Sequence, residues 1–239
     1  MLPKIDVPTY DVKIPSSKEL ITVRPFTVKE EKLLLMAMES KDNEEIIRTV
    51  SQIINNCLIK GKIDFNKLPF FDIDFLFVFL RAKSVGEKVE VKLTCNNVVD
   101  GDKCGNIFDT DMDLSKCELQ EKEGITSDIK LNGKQGIKMR YPSYSSMRYA
   151  ELANPIDRKT AVIVNSIDSI YDEKGVYSWK DYSKEELKEF VEGLTEENYN
   201  KLQEFVDNFP SIAVKLEATC NKCGFHHNVR YTDFFDFFT

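Results

Sequence analysis

Histidine is scarce in this chain: it occurs twice in 239 residues, at the adjacent positions 226 and 227. Both histidines follow closely on a cysteine pair, and no separate nucleophile accompanies them. That leaves little from which to build a Ser–His or Cys–His catalytic centre. A glycine-rich phosphate loop, a Gly-x-Ser-x-Gly elbow and a His-Glu-x-x-His motif are missing as well. The longest apolar runs, such as Phe75-Leu76-Phe77-Val78-Phe79-Leu80, fall far short of the roughly 20 residues that span a bilayer. There is no run of Lys or Arg, and the net charge is −7, so the chain is expected to repel a phosphate backbone. Carboxylates are abundant, but Asp109, Asp111 and Asp113, like Glu185 and Glu186, read as solvated strand and helix faces. These absences predict no enzymatic activity, no small-molecule substrate, no membrane span and no nucleic-acid partner.

The opening Met1-Leu2-Pro3-Lys4-Ile5-Asp6 lacks the charged-then-apolar order of a signal peptide. A soluble protein made in a cytosol is expected, where thiols stay reduced and paired cysteines favour metal over disulfide. With 42% hydrophobic residues, 16 of them Phe among a wider apolar set, the chain can bury a sizeable core as one large domain or two small ones.

The sequence makes one statement twice. Asp11-Val12-Lys13-Ile14 leads through a turn into Ile21-Thr22-Val23-Arg24, and Asp128-Ile129-Lys130-Leu131 leads through another into Ile137-Lys138-Met139-Arg140. Alternation marks each as a β-hairpin, and Asn132-Gly133 is a turn signal in the second. Thr27 with Glu30 forms a capping box that predicts a helix to about Ser40. A second helix from about Asn43 carries Ile46, Ile47, Val50, Ile53, Ile54, Cys57 and Leu58 on one stripe. A third, about Asp72 to Ser84, is apolar on several sides and should be buried. Downstream, the pattern predicts helices from Ser143 to about Leu152, from Ala161 to about Tyr171, after Ser183, and from Thr195 to about Asn208. Strands are expected over Lys88–Leu93, around Phe108–Leu114 with the aspartates on the wet face, and through Ile212, Val214 and Leu216. The predicted fold class is α+β, with two pseudo-repeated lobes of hairpin, helical segment and cysteine-tipped strand pair. The lobes would be residues 1–117 and 128–239, joined by a polar connector at 118–127.

Each lobe ends in a Val-Lys-Leu strand and two cysteines with glycine after the second: Cys95 and Cys104-Gly105, then Cys220 and Cys223-Gly224. Zinc takes about four soft ligands in a tetrahedron, and a Cys-x-x-Cys-Gly turn aims two sulfurs at one point. Cys220 to Gly224 fits that half-site; Cys95 and Cys104 fit it if residues 96–103 loop out. The metal ligands predicted are therefore Cys95, Cys104, Cys220 and Cys223 around one structural Zn2+. Alternatives are a ligand contributed by His226 or His227, or cysteines that are merely small buried residues or a transient disulfide. Cys57 reads as core and Cys117 as a bystander. The C-terminal Phe234, Phe235, Phe237 and Phe238 cannot all share one face, so they pack in the protein's own core or dock into a partner.

Several stretches resemble the T4-type bacteriophage baseplate hub proteins across nearly the whole chain. They are Leu2-Pro3-Lys4-Ile5, Pro8-Thr9-Tyr10, Arg24 to Lys32, Ile53 to Cys57, Phe71-Asp72-Ile73-Asp74, Leu80 to Glu87, and the Cys-x-x-Cys ending. The resemblance implies a non-catalytic component of the central hub of a contractile tail, partnered by other phage baseplate or hub proteins. It would assemble in the host cytoplasm and reside in the virion baseplate if retained. The reading from another class is a zinc-ribbon adaptor that binds nucleic acid or a polymerase, which requires a basic stripe with exposed aromatics.

Overall fold

The computed structural model describes residues 6–143 and 157–232. The fold is mixed α+β, with six α-helices and fourteen short strands in small sheets among the described residues. The chain divides into two compact units. One comprises Met1–Ile63, Phe71–Gln120 and Ser211–Thr239; the other comprises Asp64–Phe70 and Glu121–Pro210.

In the first unit, β1 (Tyr10–Lys13) and β2 (Leu20–Val23) form the predicted hairpin, with Val12 opposite Ile21. Val12, Ile21 and Val23 point inward while Asp11, Lys13 and Leu20 stay exposed, as a period of two requires. Helix α1 (Val28–Glu39) starts at the Thr27/Glu30 capping box. Glu30 is also gripped by Arg24, whose guanidinium reaches both carboxylate oxygens at 2.7 and 2.9 Å. Arg24 further donates to the carbonyls of Pro25 and Asn56, so the hairpin exit is tied to the end of α2 (Asn43–Cys57).

Val50, Ile53, Ile54 and Cys57 form the buried part of the predicted α2 stripe. Leu58 does not continue it: the helix stops at Cys57 and β3 (Leu58–Lys60) pairs with β2. The Cys57 carbonyl accepts the Arg24 backbone N–H at 2.9 Å, which ends the helical ladder there. Helix α3 (Phe70–Ser84) buries Phe71, Ile73, Leu76, Phe77, Val78 and Leu80. Each such side chain contributes about 2–3 kcal/mol. Asp72 is fully buried among them. It accepts the Ser16 N–H at 3.0 Å and the Ser16 hydroxyl, which fastens α3 to the β1–β2 turn.

Strand β4 (Lys88–Thr94) runs to the first cysteine; β5 (Val98–Val99) and β6 (Asp102–Lys103) form a small hairpin; β7 (Ile107–Asp113) returns along β4. Phe108 and Met112 are buried, and Asp109 and Asp111 are exposed, as the alternation predicts. Residues 118–120 read as connector from sequence, yet Cys117–Gln120 is a strand, β8.

In the second unit, β9 (Asp128–Lys130) and β10 (Gly136–Met139) form the other hairpin, with Ile129 opposite Ile137. Asn132 closes its turn by accepting the N–H groups of Lys134 and Gln135, both at 2.9 Å. The helix expected over 143–152 lies, beyond Ser143, outside the described residues. The helix expected over 161–171 is corrected: α4 (Arg158–Ser166) ends at Ser166, and β11 (Ile167–Asp172) follows. The Ser166 carbonyl takes the Arg140 N–H at 2.7 Å, and β11 pairs with β10 and with β12 (Gly175–Ser178). Helix α5 (Lys184–Glu192) begins at a Ser183/Glu186 capping box and α6 (Glu196–Asp207) at Thr195. Ile137, Ile163, Ile167 and Leu202 form the centre of this unit's core.

The last described strands, β13 (Ser211–Thr219) and β14 (His226–Tyr231), belong to the first unit. Strand β13 pairs with β14 on one side and β8 on the other. The C-terminal phenylalanines lie outside the described residues.

Candidate metal centre

Two knuckles of the same construction carry the four cysteines. In the first, the Cys95 N–H donates to the Asn106 carbonyl at 2.8 Å, and the Gly105 N–H donates back to the Cys95 carbonyl at 3.0 Å. In the second, the Cys220 N–H donates to the Phe225 carbonyl and the Gly224 N–H to the Cys220 carbonyl, both at 2.9 Å. Gly105 and Gly224 sit at φ +60° and +72°, where an L side chain is disfavoured, which accounts for the glycine in each knuckle. The eight residues between Cys95 and Cys104 are taken up by the β5–β6 hairpin. Its base closes where the Cys104 N–H meets the Asn97 carbonyl at 2.7 Å. The wide spacing therefore does not separate the two sulfurs.

All four sulfurs lie within 4.8 Å of one another. Cys95 and Cys223 are 3.6 Å apart at sulfur, and Cys104 and Cys220 are 3.9 Å apart. A tetrahedron with metal–sulfur bonds of about 2.3 Å has edges of about 3.8 Å. A disulfide requires about 2.05 Å. The thiols thus stand at the spacing of a shared tetrathiolate site, each close pair linking one knuckle to the other. Behind them Leu93, Phe108 and Ala218 are buried, with Val229 packed alongside, so the site has a dry floor.

Polar groups surround the sulfurs. The Asn106 side-chain amide donates to Cys220 Sγ at 3.5 Å and to Asn221 Oδ1 at 2.6 Å. The Asn97 amide donates to Cys223 Sγ at 3.8 Å, and Lys222 Nζ reaches the Cys104 carbonyl at 3.3 Å. Burial works against ionising Cys220, but the N–H groups of Cys223 and Lys222 and the Asn106 amide outweigh it, bringing the thiol down to about 6. Cys223 is also lowered, chiefly by the Phe225 N–H. Burial pushes Cys95 up to about 12.

Neither histidine joins the sulfur cluster. His226 is exposed, with Nδ1 3.2 Å from the Thr219 hydroxyl. His227 is buried between the rings of Phe108 and Phe225, and its Nε2 has no hydrogen-bond partner among the described residues. Cys57 is buried beneath Arg24, and burial raises its thiol to about 11. Cys117, in β8 opposite Val214, is raised to about 12 for the same reason. Asn97 and Asn106 escaped the sequence reading; their one visible signal is their position beside the first cysteine pair.

A four-thiolate site, once filled, would offer a metal no open position for water, so such a centre would hold shape and would not activate a nucleophile. Among the described residues, no helix is long and apolar enough to cross a membrane. No curated protein and no solved structure matches the chain. The family model described as T4 bacteriophage base plate protein matches residues 7–239. With a match over essentially its whole length, the chain belongs to the T4 bacteriophage base plate protein family.

Proposed function

We propose that the protein is a non-catalytic structural or assembly component of the central hub of a contractile-tail phage baseplate. It works through contacts with other baseplate proteins and is held together by one structural Zn2+ on Cys95, Cys104, Cys220 and Cys223. The observation that carries this reading is the family match over 7–239. The sulfur spacing, the dry floor and the matched knuckles support the zinc, which when bound supplies a cross-link between distant stretches of chain. The chain itself contributes the knuckle hydrogen bonds that preset the sulfur positions. The net charge of −7 speaks against the adaptor reading.

An internal duplication, with repeats at 1–117 and 128–239, is part of the same proposal. Its support is register. Val23 pairs with Leu58 and Met139 with Ile167, each beside a register shift one residue earlier. Arg24 and Arg140 pass their backbone N–H groups to Cys57 and Ser166, the last residues of α2 and α4.

Quantitative mass spectrometry of purified virions and of baseplate assembly intermediates tests the functional reading. Recovery with hub-containing particles is expected, and retention in the virion marks a subunit whereas loss on maturation marks an assembly factor. Recovery with neither particle would overturn it.

A further inference from the structure

We infer that Asn97 and Asn106 are outer-sphere positioning residues of the tetrathiolate centre, each holding a sulfur of the opposite knuckle. The inference rests on the metal reading above and goes beyond its ligand set. Both asparagines belong to the first knuckle, at the base of the β5–β6 hairpin and just past Gly105. Both direct side-chain amides across the gap to the second: Asn106 to Cys220 at 3.5 Å, Asn97 to Cys223 at 3.8 Å. Asn106 also fixes the second knuckle's loop through Asn221 Oδ1 at 2.6 Å, so one amide sets both a sulfur and the turn that carries it.

The backbone of the same two residues builds the first knuckle. The Asn106 carbonyl takes the Cys95 N–H, and the Asn97 carbonyl takes the Cys104 N–H. Each asparagine thereby ties one cysteine of its own knuckle by main chain and one of the partner knuckle by side chain. Four thiolates around a divalent cation leave a net negative charge in a site with a dry floor, and N–H donors are the groups that disperse it. Neighbouring Asn96 is exposed, which makes it a built-in control.

The experiment is Co2+ titration of reduced, metal-free protein, followed by Zn2+ competition against a chromophoric chelator. The variants are N97L, N106L, N106D and the control N96L, with circular dichroism to compare their folds. Wild type is expected to give the visible bands of tetrahedral tetrathiolate cobalt. N97L and N106L should keep those bands but bind metal about 10- to 100-fold more weakly. N106D, which replaces a donor with a like charge, should lose more than N106L, and N96L should match wild type. N97L and N106L within twofold of N96L would overturn the positioning role while leaving the metal site standing. Failure of wild type to bind cobalt or zinc would overturn the metal reading itself, and this inference with it.

Discussion

Arg24 and Glu30 are joined by two parallel hydrogen bonds at 2.7 and 2.9 Å, and the carboxylate is buried. The same carboxylate caps α1 by accepting the Thr27 N–H and hydroxyl. Glu30→Ala leaves a guanidinium without its counter-charge and is expected to cost about 3 kcal/mol, the low end for a broken buried pair because Arg24 is partly exposed. Arg24→Lys should also destabilise, since an ammonium cannot reproduce the fork. Urea unfolding of both variants checks this, and a loss under about 1 kcal/mol for Glu30→Ala would contradict it.

The pH dependence of that pair has a definite sign. Burial pushes the Glu30 carboxyl up, but the Arg24 and Thr27 bonds outweigh it and hold it below its ordinary value. A depressed folded pKa gives stability that is complete above the unfolded value of about 4.3 and is lost as pH falls through the folded one. Asp72 runs the other way, because burial holds its carboxyl above the ordinary range despite the Ser16 bonds. Ionised Asp72 therefore opposes folding near neutrality, and the opposition fades as pH falls through its raised value. Asp72→Asn, which keeps partners for Ser16, should gain about 1 kcal/mol at pH 7, a gain that shrinks as pH falls and is gone by about pH 3, below the unfolded value of about 3.9. Equal or lower stability than wild type at pH 7 would reject this account.

Removing the metal should loosen the first unit. At a thousandfold excess of metal over its Kd, binding contributes about 4 kcal/mol. For a chain of 239 residues that corresponds to a Tm change of roughly 10 °C. Chelation and Cys220→Ser should each lower Tm by that order, and chelator should have no further effect on the variant. Calorimetry with and without chelator decides it.

Thiol labelling should follow burial and metal. In metal-loaded protein, the four clustered cysteines would be shielded, and Cys57 and Cys117, at about 11 and 12, are poor nucleophiles. On chelation, the half-buried Cys104 and Cys223 should react with iodoacetamide before the buried Cys95 and Cys220. Peptide mass spectrometry reads the order directly; rapid alkylation of Cys57 or Cys117 in the loaded protein would be incompatible with it.

Gly136 has a steric reason to be glycine. A Cβ there would strike the Tyr171 ring and come within 2.9 Å of the Ile129 carbonyl. Gly136→Ala is expected to cost about 1–3 kcal/mol, with the companion Tyr171→Phe variant unable to restore it because the ring remains.

What the sequence disclosed was mostly local. Capping boxes at Thr27 and Ser183, the alternation of β4 and β7, and the two β-hairpins are set by neighbours a few residues apart, and they stand in the structure as read. Ile167 and Ile170 were misplaced in a helix because their spacing suits either period; only pairing with β10 and β12 settles it. Leu58 went astray in the same manner at the end of α2. Residues 118–120 look like connector because strand β13, the partner of β8, lies about ninety residues downstream. At the site, the four cysteines announced themselves by type and spacing. Asn97 and Asn106 did not, since an amide aimed at a sulfur across a gap leaves no periodic trace.

The rung that joins Gln120 to Ser211 has a mechanical meaning. Residues 121–210 leave the first unit at one end of that rung and return at the other, so tension applied between Glu121 and Pro210 would load β8 against β13 at their shared end. The strands then part like a zipper, Gln120–Ser211 first and Leu119–Ile212 next, instead of shearing all at once. The cysteine knuckle lies at the opposite end of β13, farthest from the load. Under such tension the Gln120–Ser211 end is expected to part before the cysteine end of the strand is loaded.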